Sequence, residues 1–372
     1  MNLDFTSEQN MLRKSVAEYL TKECPFDTVK EIEDSEEGYM PKHWKKMAEL
    51  GWMEICIPEK YGGLGDPFFS TMIIMEEMGK TAFVSPYFST VIQCGFTIIE
   101  GGSEDQKKSL LPKIATGKII MALAQYEEEA SYEEIGINMP AVLSGDQYVL
   151  NGIKLFVVDA NIADKLIVAA RVKDAGVTLF LVDKKAPGIS VTKMPTMGMD
   201  NNCEVIFKDV KVNKTDLIGK PGEGWAILQK MAPKAIVAKC AEMLGGCKAA
   251  IDMTAEYAKN RVQYEKPIGG FQAIQHYMAN MLLAYDTCVN FLYKVTWMVD
   301  EGLDVSKEIH ALKAQVNEQY KFISERGVQI HGGVGTTREF NIALFYRRAK
   351  VSEYIMGDTE FHYEKLAQAL GL

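Results

Sequence analysis

The spacing of apolar residues changes twice along this chain, which excludes both a pure helical bundle and a pure sheet. From Thr6 to about Lys118 the spacing is helical: Ser7 opens a segment with Glu8 and Gln9 in its first turn, and Met11, Leu12, Val16, Tyr19 and Leu20 follow at helix steps. His43 to Leu50, Phe68 to Met78 and Gln106 to Ala115 repeat the theme, with a glycine-rich loop, Ile57-Pro-Glu-Lys-Tyr-Gly-Gly-Leu-Gly, after the first of these. From about Ile119 to Leu217 the runs become short, alternating and β-branched. Tyr148–Val158, Lys165–Val172, Thr178–Val182 and Glu204–Val212 are separated by Ser-Gly-Asp, Asn-Gly and Pro-Gly turns. Beyond Gly222 the helical period returns, with Ile236, Cys240, Met243, Cys247 and Ile251 on one stripe and Ile274, Tyr277, Met278, Met281, Tyr285, Cys288, Phe291 and Leu292 on another. The expected class is α+β, mainly α. It comprises an N-terminal helical domain over 1–118, a middle antiparallel β-domain over 119–217 and a C-terminal helical bundle over 218–372.

Bulk properties narrow the function. A net charge of −9 over 372 residues argues against a nucleic-acid surface and supplies no basic membrane patch. Cys24, Cys56, Cys94, Cys203, Cys240, Cys247 and Cys288 are scattered, with no CxxC pair and no grouping with histidine. Reduced, mostly buried thiols are expected, with neither a disulfide framework nor a metal site. The start, Met1-Asn-Leu-Asp-Phe, lacks a basic segment followed by an apolar core, and no run approaches the ~18 apolar residues of a membrane span. A cytoplasmic location without membrane association is the expectation.

Two segments carry groups suited to a diphosphate. One reads Arg261-Val-Gln-Tyr-Glu-Lys-Pro-Ile-Gly-Gly-Phe and the other Gly327-Val-Gln-Ile-His-Gly-Gly-Val-Gly. Arginine offers a planar fork of donors to phosphate oxygens, and glycines let backbone N–H groups approach a polyanion without an intervening Cβ. The Gly332-Gly333 pair read alone is equally an ordinary turn.

Both segments resemble, nearly residue for residue, the FAD-binding motifs of the acyl-CoA dehydrogenase family. Other matches follow in order: Gly51 to Gly65, Leu110 to Lys118, Leu150-Asn-Gly-Ile-Lys with Ala163-Asp and Val168-Ala-Ala-Arg, and Phe207 to Trp225. The resemblance covers nearly the whole chain and shares its three-part order. It implies one noncovalent FAD per active subunit, an acyl-CoA substrate, and a homotetramer or dimer of dimers. It further implies a carboxylate that takes the Cα proton while hydride leaves Cβ for the flavin, and an electron-transfer flavoprotein as acceptor. On it, Arg261, Gln263 and Tyr264 reach the diphosphate and adenine side across a subunit interface, with tyrosine where phenylalanine is usual. Gln329, His331, Gly332 and Gly333 match the second FAD segment, and Thr359 falls in the C-terminal cofactor segment.

The flavin-ring side departs from the family pattern. Leu123-Ala-Gln-Tyr stands where Leu-Thr-Glu-Pro is usual, so Ala124 replaces a hydroxyl residue; Phe156-Val-Val replaces Trp-Ile-Thr, so Val158 offers no hydroxyl while Phe156 keeps a ring. Asp159 and the run Glu127–Glu129 are expected to be solvated loop charges. The usual glutamate base falls on Gly357, and the alternative base position near Ala235 is also empty. Asp358 is the candidate base, or else the N-cap of the helix carrying Phe361 to Leu366; His362 either faces the flavin or packs between helices. The expected activity is formation of an α,β double bond in an acyl-CoA thioester, with an unusual cyclic, aromatic or dicarboxylic acyl group. Two alternatives stay open: a subunit of a hetero-oligomer whose partner completes the active site, and non-oxidative chemistry on a CoA ester.

Overall fold

A computed structural model describes residues 5–372, so Met1–Asp4, where the reading for a leader begins, lie outside the described residues. Its helices are α1 (Ser7–Glu23), α2 (Phe26–Asp34), α3 (Pro41–Glu49), α4 (Phe68–Lys80), α5 (Phe96–Gly101), α6 (Glu104–Ala115), α7 (Gly224–Asn260), α8 (Gln272–Asp300), α9 (Glu308–His331), α10 (Ile342–Ser352) and α11 (Thr359–Leu370). The strands are β1 (Met121–Ala124), β2 (Pro140–Ser144), β3 (Gln147–Val158), β4 (Lys165–Val172), β5 (Gly176–Asp183), β6 (Ile189–Lys193), β7 (Asn202–Asn213), β8 (Leu217–Ile218) and a short hairpin, β9 (Val262–Gln263) with β10 (Lys266–Pro267). No helix among the described residues is long and apolar enough to cross a membrane. The chain divides into two compact units, one of Ile32–Pro67 and Val84–Ala235, the other of the chain up to Glu31, Phe68–Phe83 and Ile236–Leu372.

The first unit is built on one sheet in the order β6-β7-β3-β2-β4-β5-β8, with β1 also beside β4. Most pairs are antiparallel, as the turn-rich sequence leads one to expect, but β1 and β2 both run parallel to β4. The alternation in the sequence did not reveal those parallel pairs, because they join strands far apart in the chain. The Ser144-Gly145-Asp146 turn is a two-residue hairpin connection closing Ser144 on Gln147, with Gly145 at a φ of 62° that favours glycine. Leu166 to Ala170 of β4 are wholly buried. A π-helical stretch, Phe88–Gly95, is also wholly buried. Its Thr90 hydroxyl donates to Met121 O at 3.1 Å and accepts from Met121 N at 3.0 Å, which fixes the start of β1.

In the second unit α4 is buried on all sides from Phe68 to Gly79, because α1, α7 and α8 surround it. Its backbone touches α7 directly. A Cβ on Gly79 would stand 1.9 Å from Glu242 O, and one on Gly245 would stand 2.0 Å from Glu76 O. A Cβ on the adjacent Gly246 would meet the Tyr320 hydroxyl of α9 at 2.3 Å. The predicted stripe on α7 is buried throughout, from Ile236 to Ile251. Arg13 of α1 donates to Glu76 at 2.6 Å, and Lys80 pairs with Glu77 at 2.6 Å, so the two buried carboxylates of α4 are each compensated. Asp300, at the end of α8, accepts from the first free backbone donors of α4, Phe68 N at 2.6 Å and Phe69 N at 3.0 Å.

Alanine normally favours a helix interior over glycine by ~1 kcal/mol. At Gly245 the clash with Glu76 O reverses that sign. Gly245→Ala is expected to destabilise the protein by roughly 1–3 kcal/mol, read as a lowered urea midpoint at unchanged slope.

Candidate functional site

The residues suited to a diphosphate gather at the ends of two helices of the second unit. After α7 stops at Asn260, Arg261 N still donates to Tyr257 O at 2.8 Å, and Arg261 O accepts from Ile268 N at 2.8 Å, closing a small arm around β9 and β10. The arm's tip, Tyr264-Glu265, adopts φ values of 50° and 66°, a left-handed pair normally given to Asn-Gly. Each such residue costs of order 1–2 kcal/mol, and the Tyr264 ring, 88% exposed, meets only the edge of Phe271, with centroids 6.2 Å apart. Arg261 and Gln263 are exposed as well.

The second segment ends α9. Gln329 points to solvent, while His331 is buried and stacks on Tyr257 with ring centroids 4.2 Å apart. The His331 Nδ1–H donates to Gly327 O at 2.7 Å, and the Tyr257 hydroxyl donates to His331 O at 3.3 Å. Burial depresses the imidazole pKa, so the ring is neutral. Gly332 then turns with a φ of 68°, and a Cβ on Gly332 or Gly333 would meet nothing within 4 Å. Tyr257, one turn before Arg261, therefore holds the open glycine turn and the arginine arm together. An exposed arginine and an open, side-chain-free turn, linked through Tyr257, suit an anionic nucleotide, and His331 serves as a strut for that turn.

Asp358 stands at the N-cap of α11, where its Oδ1 accepts from Phe361 N at 2.8 Å. The structure thus shows the capping geometry, the second of the two roles open in the sequence. Thr359 donates to Glu353 Oε1 at 3.1 Å. Gly357 has a φ of 117°, and a Cβ there would fall 2.5 Å from His362 Nε2 and 2.7 Å from Phe361 Cδ1. A glutamate at 357 is therefore sterically barred in this backbone. His362 is fully buried against His310 of α9, with Nδ1 atoms 2.8 Å apart, and packs between helices.

In the sheet unit, Leu123 and Ala124 lie buried on β1, paired with Ile167 and Val168 of β4. The β3–β7 register slips between Lys154 and Val157, a bulge that leaves Leu155 and Phe156 out of the ladder. Leu155 N donates instead to Tyr126 O at 3.0 Å, tying the bulge to the loop after β1. Phe156 takes a φ of 54° and is 42% exposed, a strained aromatic that keeps part of its surface open. Val158 is half-buried and pairs with Asn202.

Two expectations need correction. Asp159 is not a solvated loop charge: it is 3% exposed, accepts from Ser89 Oγ at 2.6 Å and from Asn201 Nδ2 at 3.0 Å, and has a φ of 62°. Glu127 is not one either, although Glu128 and Glu129 are exposed. Its Oε1 accepts from the Lys154 ammonium at 2.7 Å and from Met139 N at 2.9 Å, and both oxygens accept from Asn138 N at 3.0 Å. Lys154 is wholly buried and also donates to Gln125 O at 3.0 Å. Desolvation pushes its pKa down to about 8, against the pull of Glu127. The pair anchors the loop between β1 and β2, and sequence reasoning missed it. The available signal was a lysine in the inward phase of β3, in step with Tyr148 and Leu150.

Removing the carboxylate charge while keeping its volume isolates this pair. Glu127→Gln is expected to cost about 3 kcal/mol while Lys154 is charged, and the loss should shrink as pH rises toward about 8, where Lys154 sheds its proton even beside Glu127. Denaturation at several pH values checks this. At the cap, Asp358→Ala is expected to lose about 1 kcal/mol whereas Asp358→Asn, an equally good cap, stays within about 0.5 kcal/mol of wild type in thermal denaturation.

The chain matches the acyl-CoA dehydrogenase N-terminal domain over residues 6–118, the middle domain over 122–210 and the C-terminal domain over 222–371. It is 30% identical to acryloyl-CoA reductase (NADH) of Anaerotignum propionicum, covering 99% of this chain and 95% of that protein. It is 31% identical to the CarC subunit of the caffeyl-CoA reductase–Etf complex of Acetobacterium woodii, covering 96% of both. Among solved structures, butyryl-CoA dehydrogenase from Megasphaera elsdenii superposes with a TM-score of 0.92 at 27% identity over 100% of both chains. With all three domains present in order along its length, the chain is an oxidoreductase of the acyl-CoA dehydrogenase family.

Proposed function

We propose that this chain binds FAD and an acyl-CoA thioester and exchanges hydride at the bond between Cα and Cβ of the acyl group. The observation that carries the reading is the Arg261 arm held beside the open Gly332-Gly333 turn by Tyr257. Arg261, Gln263 and Tyr264, with Gln329, Gly332 and Gly333, would take the diphosphate and adenine side. An arm whose strained tip is largely exposed is suited to reach a neighbouring subunit, in a homotetramer or dimer of dimers. Leu123, Ala124, Phe156 and Val158 would meet the ring side, with Phe156 as the stacking surface and main-chain groups replacing the missing hydroxyls. FAD, when bound, supplies the hydride acceptor or donor. Asp358 is the carboxylate nearest the usual base position, and its cap bond occupies only one oxygen. The acyl group is proposed to be an unusual one, in keeping with relatives named for acryloyl and caffeyl thioesters, and an electron-transfer flavoprotein is the proposed redox partner.

A second reading follows from the barred side chain at Gly357 and the buried Ala235. In it the chain is one subunit of a hetero-oligomer, lending Arg261 and Gln329 to a partner that supplies the base.

Arg261→Ala removes a charge-assisted contact worth roughly 1.5–3 kcal/mol. Its flavin content, measured by absorbance against protein, should fall at least about tenfold at subsaturating FAD. Anaerobic bleaching of the wild-type flavin by an acyl-CoA panel, or of the reduced flavin's electrons onto 2-enoyl-CoA esters, should proceed with the chain alone. Normal flavin content in the variant would refute the diphosphate assignment, and bleaching only after addition of a partner subunit would establish the second reading.

A further inference from the structure

The helix α11 is held by a polar knot whose geometry admits one proton at its centre. Among its residues only His362 is buried, so this helix docks through a titratable ring. Met356 O can only accept, so the His362 Nε2 at 3.1 Å from it carries hydrogen. In the neutral ring, Nδ1 is then an acceptor. His310 Nδ1, 2.8 Å away, must be the donor, and a single hydrogen lies between the two rings. A second proton would set two N–H groups against each other at that distance.

The surroundings oppose that second proton. Lys313 of α9 is fully buried and donates to Ser352 O at 3.2 Å, Glu353 O at 3.0 Å and the Asn317 side chain. Its ammonium thus ties the end of α10 to α9 and places positive charge beside His362. Lys365 of α11 faces His310, and Lys239 of α7 adds positive charge around Lys313. Negative charge near Lys313 comes from Glu353 and from Asp358, with the Cys240 thiol also beside it; Asp358 is held at the cap by Phe361 N. Phe361 covers the edge of His310 with ring centroids 6.4 Å apart. Burial and these cations push the His310 pKa down to about 4 and that of His362 to about 3. The hinge is supplied by the chain itself. Met356 and Gly357 have φ values of 65° and 117°, and Gly357 has no room for a side chain against His362.

We propose that His310 and His362 form an acid-sensitive latch that holds α11 and the Met356–Asp358 turn against α9, and that protonating the pair releases them. The folded pair resists protons that the freed imidazoles accept at an ordinary pKa near 6.5. Stability of the latch is therefore complete above that value and is lost as pH falls from 6.5 toward 4. The released segment carries Asp358 and Thr359, so opening would also disturb the site proposed above, although the latch itself does not rest on that assignment.

Hydrogen exchange on the full-length protein tests the latch through amides of residues 353–370, corrected for intrinsic rates, between pH 7.5 and 5. Opening should increase about tenfold per pH unit for each histidine below 6.5. The amides of β3 and β7 should stay protected over the same range. In His310→Gln the glutamine can still donate to His362, so the pH slope should fall to that of one proton. In the double variant His310→Gln, His362→Gln it should vanish. Exchange at 353–370 that does not change with pH, a wild-type slope retained in His310→Gln, or equal loss of protection in β3 and β7 would each overturn the proposal. These readouts require neither flavin nor substrate, so they stand or fall independently of the proposed reaction.

Discussion

Backbone contact between α4 and α7 is the constraint on which the helical unit depends. At Gly79 and Gly245 no side chain separates the two helices, and each glycine faces a carbonyl of the other helix. Helices that approach this closely gain contact along their whole crossing, but only at one register, because a shift by one residue would drive a Cβ into a carbonyl. The crossing sets the position of Glu76 and Glu77, and hence where Arg13 and Lys80 must reach. It also fixes α7 against Tyr320 of α9 through Gly246. The ends of α7 and α9, where Tyr257 meets His331, inherit their spacing from this contact.

Buried charge in this chain does the work of holding irregular segments. Lys154 with Glu127 secures the loop after β1, and Lys313 with Asn317 secures the segment after α10. Neither ammonium is left without acceptors, which is the condition for keeping a lysine in an interior. An apolar residue of similar size would fill either space. It could not accept or donate the directed bonds to Gln125 O, Ser352 O and Glu353 O that fix the paths of these loops.

Much of the architecture was legible because periodicity is a local property. The strands expected at Tyr148–Val158 and Lys165–Val172 and the buried stripe from Ile236 to Ile251 agree with the structure, since each reports which face of one element meets the core. The parallel pairing of β1 with β4 was not legible, because nothing in Met121–Ala124 encodes a partner that lies 44 residues on, as Lys165 does from Met121. The candidate site divides along the same line. Arg261 and the Gly332-Gly333 turn announce themselves by residue type. Glu127, Asp159 and the histidine pair depend on partners distant in sequence, so their burial became visible only in three dimensions. Asp358 stood between the two cases, since aspartate before a helical run signals a cap while its neighbours suggested chemistry.

The geometry at Gly357 also constrains how this chain can change over evolutionary time. Its backbone conformation and the ring of His362 both exclude a side chain there. A single substitution that placed a carboxylate at 357 would arrive in a strained, occupied space and be selected against before any benefit in activity could appear. Placing a side chain there requires His362 and Phe361 to withdraw first, and His362 is the buried contact of α11. The order of mutations is therefore restricted: the turn and the helix that follows must be remodelled before an acid can be placed at 357, so the effect of that substitution depends on its neighbours.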